Sequence, residues 1–165
     1  MTDVFLNVQG IKGESTDAAH KDWCEVLTAQ WGVKQPAAGT SGERGRGAER
    51  ADFMHLVVLK DVDRATPPLA VACASGRVIS KVVAEFCRAG GTGQKLYLRL
   101  TLKDAYVANQ RLFSQAGKSE GASQLEEVSF SYNQIQVEYF EMTHKGKLAS
   151  SPFNFGWDLR TNKST

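Results

Sequence analysis

Apolar and polar residues alternate with a period of two along most of the chain, and this alternation is typical of β-strands. The clearest run covers residues 96–102, where a leucine occupies every second position. Similar runs predict further strands at residues 4–8, 23–31, 51–61 and 153–159. In the run at 23–31, one face would carry every second residue: Trp23, Glu25, Leu27, Ala29 and Trp31. Together with the segments below, the pattern predicts about seven strands.

The alternation changes phase within residues 126–140. Up to Tyr132 the apolar side chains occupy even-numbered positions, and from Ile135 onward they occupy odd-numbered positions. A strand that changes its buried face must bulge or bend, as strands do when they pass from one sheet to another or turn a barrel corner. We therefore predict a bend at Asn133–Gln134.

One segment is typical of a short helix, between Arg64 and Gly76. Thr66 is the predicted N-cap, Pro67 suits the first helical position, and Gly76 suits the left-handed residue that follows a helix. The residues between are apolar nearly all round, so we expect this helix to be buried against a sheet. Residues 76–90 fit both a helix and a strand, and periodicity alone slightly favours the helix.

Residues 34–50 differ in composition from the rest of the chain. They are rich in Gly, Ser and Arg, contain alanine but no larger aliphatic or aromatic residue, and show no periodicity. A connection of this length in a compact domain is either functional or disordered, so we predict a long mobile loop at about 34–51. No repeat divides the 165 residues, and 1–165 should form one domain. The expected fold is mainly β, an antiparallel barrel or sandwich with one packed helix.

Charge and hydropathy give no support to nucleic acid or a membrane as partner. The net charge of +2 is too small to argue for nucleic acid or an anionic membrane. No apolar run approaches the roughly 20 residues of a membrane-spanning helix, and the first ten residues lack the regions of a Sec signal peptide. We therefore expect folding in the cytoplasm. Arg44, Arg46 and Arg50 have no interleaved aromatic residues for base stacking, which favours a solvated loop or one that docks on another subunit.

Histidine placement offers one weak case for catalysis and none for a metal. His20, His55 and His144 lack the spacing of zinc or iron ligands. His20 could act as a general base beside Asp17 or Asp22. The simpler interpretation is a histidine that stacks on its neighbours where a strand begins. A hydrolase or small-ligand barrel that uses His20 and Asp17 is kept as the alternative function.

Two further features have structural rather than chemical explanations. The segment GIKGES at residues 10–15 lacks the spacing of a Walker A phosphate loop, and the alternation on either side makes it a turn between strands. The three cysteines are an odd number without CxxC spacing, so we expect small buried apolar residues: Cys24, Cys73 and Cys87. No cofactor is predicted from either feature.

Several stretches, taken in order, resemble the Hcp family, the haemolysin-coregulated tube proteins of bacterial type VI secretion systems. The resemblance begins with an opening strand, a glycine-bounded turn and the segment HKDW, in which the signature residues are Gly10, Lys12, Gly13, Glu14, Ser15, His20 and Trp23. Residues 61–76 resemble the family's helix, residues 87–104 its central strands and residues 156–162 its C-terminal strand. The resemblance therefore runs through nearly the whole chain.

The resemblance implies an antiparallel two-sheet β-barrel with one short flanking helix, and a strand at residues 76–90. It implies a structural subunit, not an enzyme, that forms homohexameric rings with a wide channel, stacked into a tube like that of phage tails. A contractile sheath would expel the tube, a spike protein would sit at its tip, and the lumen would hold small effector proteins as an export chaperone. The protein would leave the bacterial cytoplasm without a signal peptide.

Two points remain specific to this sequence. Residues 107–124 differ from the family in length and composition, so the identity of lumen-facing side chains there is not implied. The loop with Arg44, Arg46 and Arg50 is a natural element for reaching a neighbouring subunit or ring. A free effector or adhesin that keeps the tube fold is a third functional hypothesis.

Overall fold

The computed structural model describes residues 2–36, 50–90, 93–114, 124–142, 149 and 151–165. Within these residues the chain forms one α-helix, α1 (Thr66–Ser75), and twelve strands. The first six strands are β1 (Thr2–Val8), β2 (Cys24–Val26), β3 (Thr28–Gln30), β4 (Val33–Lys34), β5 (Asp52–Phe53) and β6 (Leu56–Asp61). The last six are β7 (Ile79–Gly90), β8 (Gly93–Ser114), β9 (Gln124–Ser131), β10 (Gln134–Tyr139), β11 (Phe153–Asp158) and β12 (Lys163–Ser164).

The strands form two main antiparallel sheets that share β8. The first sheet has the order β12-β11-β10-β8-β7-β1-β2, and the second has the order β3-β6-β9-β8. Strands β4 and β5 form a separate two-stranded ladder. The expected fold, mainly β with two antiparallel sheets in a barrel-like arrangement and one short flanking helix, is confirmed.

Strand β8 passes from one sheet into the other. Residues up to Ala105 pair with β7, whereas residues from Tyr106 onward pair with β9. Asp104 lies at the junction and has a positive φ of 48°. The following strands repeat this change, because β9 pairs with β6 in the second sheet and β10 pairs with β11 in the first. The bend predicted at Asn133–Gln134 is therefore confirmed.

A third passage between the sheets occurs at Leu27. Strand β2 pairs with β1 in the first sheet, β3 pairs with β6 in the second, and only Leu27 separates β2 from β3. The prediction of one continuous face from Trp23 to Trp31 is wrong, because Cys24 and Val26 are buried while Leu27 is exposed. The break at Leu27 redirects the chain, so the alternation cannot continue through it.

Residues 79–90 form a strand rather than a helix. Strand β7 pairs with β1 on one side and with β8 on the other. The strand implied by the family resemblance is confirmed, and the preference from periodicity alone is wrong. Strand β8 pairs with nearly the whole length of β7 and β1 pairs with residues 82–88, and this tertiary pairing outweighs the local pattern. The β7–β8 ladder reaches Gly90 and Gly93, as in a hairpin.

The helix begins one residue earlier than predicted. Ala65 is the N-cap, and Thr66 and Pro67 are the first and second helical residues, so the N-cap predicted at Thr66 is wrong. The Thr66 hydroxyl instead donates to Glu126 at 2.8 Å, and the carboxylate of Asp63 accepts the Ala65 N–H at 2.8 Å. At the other end Gly76 takes the left-handed conformation, with φ 61° and ψ 30°, which favours glycine.

One apolar cluster joins the inner faces of the two sheets and the inner face of α1. It contains buried residues from β1, β7 and β8 of the first sheet and from β6 and β9 of the second. The helix contributes Leu69 and Ala72 to this cluster, and Val71 on its outer side is 63% exposed. The helix therefore flanks the barrel-like core, and the expectation that it would be buried against a sheet is confirmed for its inner face.

Candidate assembly surfaces

The turn that follows β1 is held by the segment in front of α1. Arg64 donates from its backbone N–H to the carboxylate of Glu14 at 3.0 Å and from its guanidinium to Asp22 at 2.6 Å. The same guanidinium donates to the Gly13 carbonyl. The hydrogen bonds from Arg64 and then Lys12 lower the pKa of Asp22. The signature residues Gly13 and Glu14 therefore tie the turn to the start of the helix, whereas Lys12 pairs with Asp22 within the turn.

Glycine is favoured at two positions in this turn, for two different structural reasons. Gly10 has a φ of 84°, a conformation that side chains other than glycine rarely adopt. Gly13 is required for space, because a Cβ there would lie 2.3 Å from the backbone oxygen of Trp23. The Gly13 N–H donates to Asp22 and the Ser15 N–H donates to Trp23, so the two arms of the turn lie against each other.

His20 is buried at the end of this turn, with 4% of its surface exposed. Its ring stacks on Phe5 with centroids 4.0 Å apart and lies edge-on to Trp23 at 5.0 Å. Nδ1 lies 2.7 Å from the carboxylate of Asp17, and Nε2 lies 2.9 Å from the carboxylate of Glu85. The predicted stacking is found, and both ring nitrogens face carboxylates.

A row of alternating charges continues from Glu85 across the outer face of the first sheet. Glu85, Arg99 and Glu138 are directly opposite one another on β7, β8 and β10. Arg99 lies 2.7 Å from Glu85 and 3.5 Å from Glu138. Opposite charges in directly facing positions stabilise a sheet, so this row supports the observed register of three strands.

This geometry does not suit a general base. A base must have an unprotonated nitrogen within reach of the proton it removes, yet both nitrogens of His20 are occupied by carboxylates. The hydrogen bond from His20 lowers the pKa of Asp17, and that carboxylate also accepts the backbone N–H groups of Ala19 and His20. Asp17 and His20 are therefore engaged in holding the turn.

A second charged cluster lies inside the core and is a feature that the sequence reading missed. Lys60 is completely buried, with Nζ 2.7 Å from Asp63 and 2.9 Å from Glu126. Burial alone would lower the pKa of Lys60, but the hydrogen bonds to Asp63 and Glu126 outweigh burial and raise it. Gln110 donates to Glu126 and to the Thr66 carbonyl. The cluster therefore connects β6, β8 and β9 to the first turn of α1.

The apolar face of the first sheet continues beyond the core. Leu6, Ala84, Leu100, Val137 and Phe155 face one another across β1, β7, β8, β10 and β11. Burial decreases along this row, from 0% exposed at Leu6 to 39% at Phe155. We call the uncovered end of this face the open face and define it by the most exposed residues: Tyr139, Phe153 and Phe155. Their exposed fractions are 44%, 68% and 39%.

Aromatic rings extend the open face toward β5. Phe53 stacks against Phe155 and Trp157, with centroids 6.5 Å and 6.0 Å away. Strand β5 follows the predicted loop, of which residues 37–49, with Arg44 and Arg46, lie outside the described residues. Arg50 is described and donates to the carbonyl of Leu159. The described end of the loop therefore contacts its own subunit beside β11.

The three cysteines differ in how far they are buried. Burial raises the pKa of Cys24 to about 12 and that of Cys87 to about 11. Cys24 and Cys87 are buried, as predicted, whereas Cys73 is partly exposed. No group of three or more His, Cys, Asp or Glu residues that could hold a metal ion occurs in the described part of the chain. No helix among the described segments has the length and apolar character to span a bilayer.

Comparison with known proteins identifies relatives along the whole chain. The family described as "Type VI secretion system effector, Hcp" matches residues 5–139. Protein hcp1 of Pseudomonas aeruginosa is 33% identical over 162 residues, which cover 97% of this chain and 96% of the relative. A solved structure titled as a type six secretion system protein has a TM-score of 0.90 at 28% identity, with full coverage of both chains. Hcp1 from Salmonella typhimurium has a TM-score of 0.77 at 29% identity and covers 99% of both chains.

Proposed function

Because the chain belongs to the Hcp family of type VI secretion proteins, we propose that it assembles into hexameric rings that stack to form a secretion tube. Its basic role as a type VI secretion tube protein follows from the family. The ring, its stacking and its partners are the proposed additions. A structural subunit does not need catalysis by His20 and Asp17. Both ring nitrogens of His20 are hydrogen-bonded within the subunit, to Asp17 and Glu85.

The open face is the observation that supports ring formation. Phe153, Phe155 and Tyr139 present large apolar surfaces next to one another on β10 and β11. Contiguous exposed apolar surface on a folded protein is typical of an interaction site. The open face and the exposed side of α1 are different surfaces of one chain. A contact between unlike surfaces is heterologous, and it generates a ring when the rotation between copies closes.

The loop at 34–51 is the proposed contact between stacked rings. Arg44, Arg46 and Arg50 are the residues that we expect to make this contact. Deleting residues 37–49 should leave the subunit folded and the rings intact while shortening the tubes seen by negative-stain electron microscopy. Arg50 should be retained in this variant because it contacts Leu159 in its own subunit. Tubes of unchanged length would exclude this role for the loop.

The proposed partners follow from a tube of stacked rings. The subunit's main partner is itself, as a homohexamer, with a contractile sheath outside the tube and a spike protein at its tip. Small effector proteins would be bound and exported in the lumen, and neither nucleic acid nor membrane insertion is part of the function. The protein would start in the bacterial cytoplasm and be secreted by the type VI system without a signal peptide.

Size-exclusion chromatography with light scattering, followed by negative-stain imaging, tests ring formation. The wild-type protein should have the mass of six chains and appear as rings. The double variant F153S/F155S should be a monomer, with the circular dichroism spectrum of the wild type. L112S is a matched control, because Leu112 is similarly exposed but lies on β8, away from the open face. A wild-type protein that stays monomeric at all concentrations would contradict the proposed function.

The two alternative hypotheses predict different outcomes. A hydrolase or small-ligand barrel that uses His20 and Asp17 would lose its activity in D17N, whereas a tube subunit would keep its rings and its secretion in that variant. A free effector or adhesin would act on target cells without the secretion machinery. Secretion that depends on the machinery, with rings of six chains, favours the tube subunit over both.

A further inference from the structure

The buried His20 ring has two carboxylate neighbours and no other polar partner described. Asp17 lies on the same turn and faces Nδ1, and Glu85 lies on β7 and faces Nε2. The remaining neighbours are aromatic: Phe5 of β1 lies against one face, and Trp23 meets the ring edge-on. The distances of 2.7 Å and 2.9 Å are those of strong, charge-assisted hydrogen bonds.

The chemistry of these partners fixes the number of protons on the ring. An ionised carboxylate can only accept hydrogen bonds, and a neutral imidazole has one N–H and one unprotonated nitrogen. If both carboxylates are ionised, a neutral ring would place an unprotonated nitrogen against a carboxylate oxygen. That contact would be repulsive in a site with little access to water. Two N–H donors are therefore needed, which only the imidazolium form provides.

Both carboxylates accept hydrogen bonds from donors other than the His20 ring. Asp17 accepts the backbone N–H groups of Ala19 and His20 at 3.0 Å in addition to the ring N–H. These hydrogen bonds, with the side-chain bond from His20 as the largest cause, lower the pKa of Asp17. Glu85 uses its second oxygen to accept from Arg99 at 2.7 Å. Neither carboxylate needs a proton of its own.

We propose that His20 is a buried imidazolium that clamps the turn between β1 and β2 onto the outer face of the first sheet. Asp17 attaches the ring to the turn, and Glu85 attaches it to β7. Removing the ring proton would remove the hydrogen bond between the ring and one of the two carboxylates and would loosen the turn on that side. His20 is thus a positioning residue, and its site is unrelated to the open face.

Nuclear magnetic resonance of protein with ¹⁵N-labelled histidine rings tests the protonation state. The sequence has three histidines, His20, His55 and His144, and H20Q identifies the signals of His20. At about pH 8, above the ordinary titration range of histidine, the His20 ring should show two protonated nitrogens. The exposed His55 provides a reference in the same molecule. A His20 ring with one unprotonated nitrogen in the wild type at this pH would overturn the proposal.

A pair of carboxylate variants tests whether direct contact is the cause. E85Q removes the charge that faces Nε2, and its His20 ring should become neutral at the same pH. E138Q is the matched control, because Glu138 contacts Arg99 in the same row of charges but does not contact His20. If E138Q changes the protonation state of the His20 ring as much as E85Q does, the summed charge of the row, and not direct contact with Glu85, is the cause. That result would exclude the clamp. If H20Q does not fold, H55Q and H144Q assign the His20 signals by elimination.

Hydrogen exchange followed by mass spectrometry tests the clamping role. The backbone N–H groups of Ser15 and Asp22 are bonded across the turn, to Trp23 and Ser15. In E85Q, peptides covering residues 13–23 should exchange about tenfold faster than in the wild type, because a charge-assisted hydrogen bond has been weakened. E138Q should exchange like the wild type. Unchanged exchange in E85Q would show that the turn does not depend on His20.

Discussion

The two ends of the apolar face in the first sheet are covered to very different extents. At β1 and β7 the second sheet lies over the face, and Leu6 and Ala84 are completely buried. At β10 and β11 the same rows continue, but Phe153 is 68% exposed. We refer to the two ends as the covered side and the open side. The alternation of residues is alike on both sides.

The difference in exposure shows that the apolar core ends where the second sheet no longer covers the first. Among the described residues, β8 is the strand that the two sheets share, and β10 and β11 extend the first sheet beyond it. Apolar residues on the covered side contribute to folding of a single chain. Those on the open side have no comparable cover within the described residues, so we assign them to contacts between chains. Substitutions should therefore separate into effects on folding and effects on assembly.

Removing the buried charge of Lys60 should have the largest effect on folding. Lys60→Met leaves Glu126 and Asp63 without their cation inside the covered side. Breaking a buried ion pair in this way costs about 3–5 kcal/mol of unfolding free energy. Urea denaturation measures the loss, and Arg111→Met, which breaks the exposed pair with Glu127, should cost no more than about 1 kcal/mol. Equal losses in the two variants would contradict the assigned burial.

Alanine substitutions at Leu6, on the covered side, and at Phe153, on the open side, should differ in their effect on folding stability. Leu6→Ala removes a completely buried side chain and should lower the unfolding free energy by about 2–5 kcal/mol. Phe153→Ala on the open side should change the stability of the isolated chain by only about 0.5 kcal/mol. Denaturation at several protein concentrations separates the stability of the single chain from the stability gained by assembly, because only the second depends on protein concentration. A large, concentration-independent loss in Phe153→Ala would argue against an open side.

The turn between β1 and β2 should tolerate Gly10→Ala better than Gly13→Ala. A Cβ at Gly13 would overlap the backbone of Trp23, and such overpacking costs about 1–3 kcal/mol. No atom lies within 4 Å of a Cβ at Gly10, where only the positive φ is unfavourable. Thermal unfolding of both variants tests the order. If Gly10→Ala were the more destabilising, backbone conformation would matter more than space in this turn.

Acid should act at the end of β11 through Asp158. Its carboxylate accepts the N–H groups of Thr161 and Arg160 and that of the Gln134 side chain. The Thr161 N–H is the largest cause that lowers the pKa of Asp158. A carboxyl with a lowered pKa stabilises the fold above its unfolded pKa, near 4, and loses this contribution as the pH falls through the folded pKa. Asp158→Asn should therefore weaken the fold at neutral pH and reduce the acid-dependent loss, a small effect measured by denaturation at pH 7 and pH 3.

Much of the strand framework could be predicted from the alternation alone. The alternating leucines predicted the strand at residues 96–102, which is the first part of β8, and the change of phase after Tyr132 predicted the bend between β9 and β10. Residues 79–90 could not be settled in this way, because apolar residues there fit both periods. Their strand is determined by pairing with β1 and β8, which the local sequence does not contain.

The functional features were harder to predict because their partners are distant in sequence. Glu85 lies 65 residues from His20, and only the pairing of β1 with β7 brings them together. Lys60 follows Leu56 and Val58 at alternate positions, so its inward direction was readable from the pattern. The need for a buried partner could have been inferred from this, but not its identity as Glu126. The exposure of Phe153 and Phe155 could not be inferred, because the limit of the second sheet is a property of the fold.

The 22-residue length of β8 also has a mechanical consequence. Its covalent backbone runs unbroken from one sheet into the other, and its hydrogen bonds join it to β7, β9 and β10. A load applied to either sheet is therefore transmitted along a polypeptide chain as well as through side-chain packing. Sliding one sheet past the other would require many of these hydrogen bonds to shear together, so the subunit should resist deformation as a single stiff element.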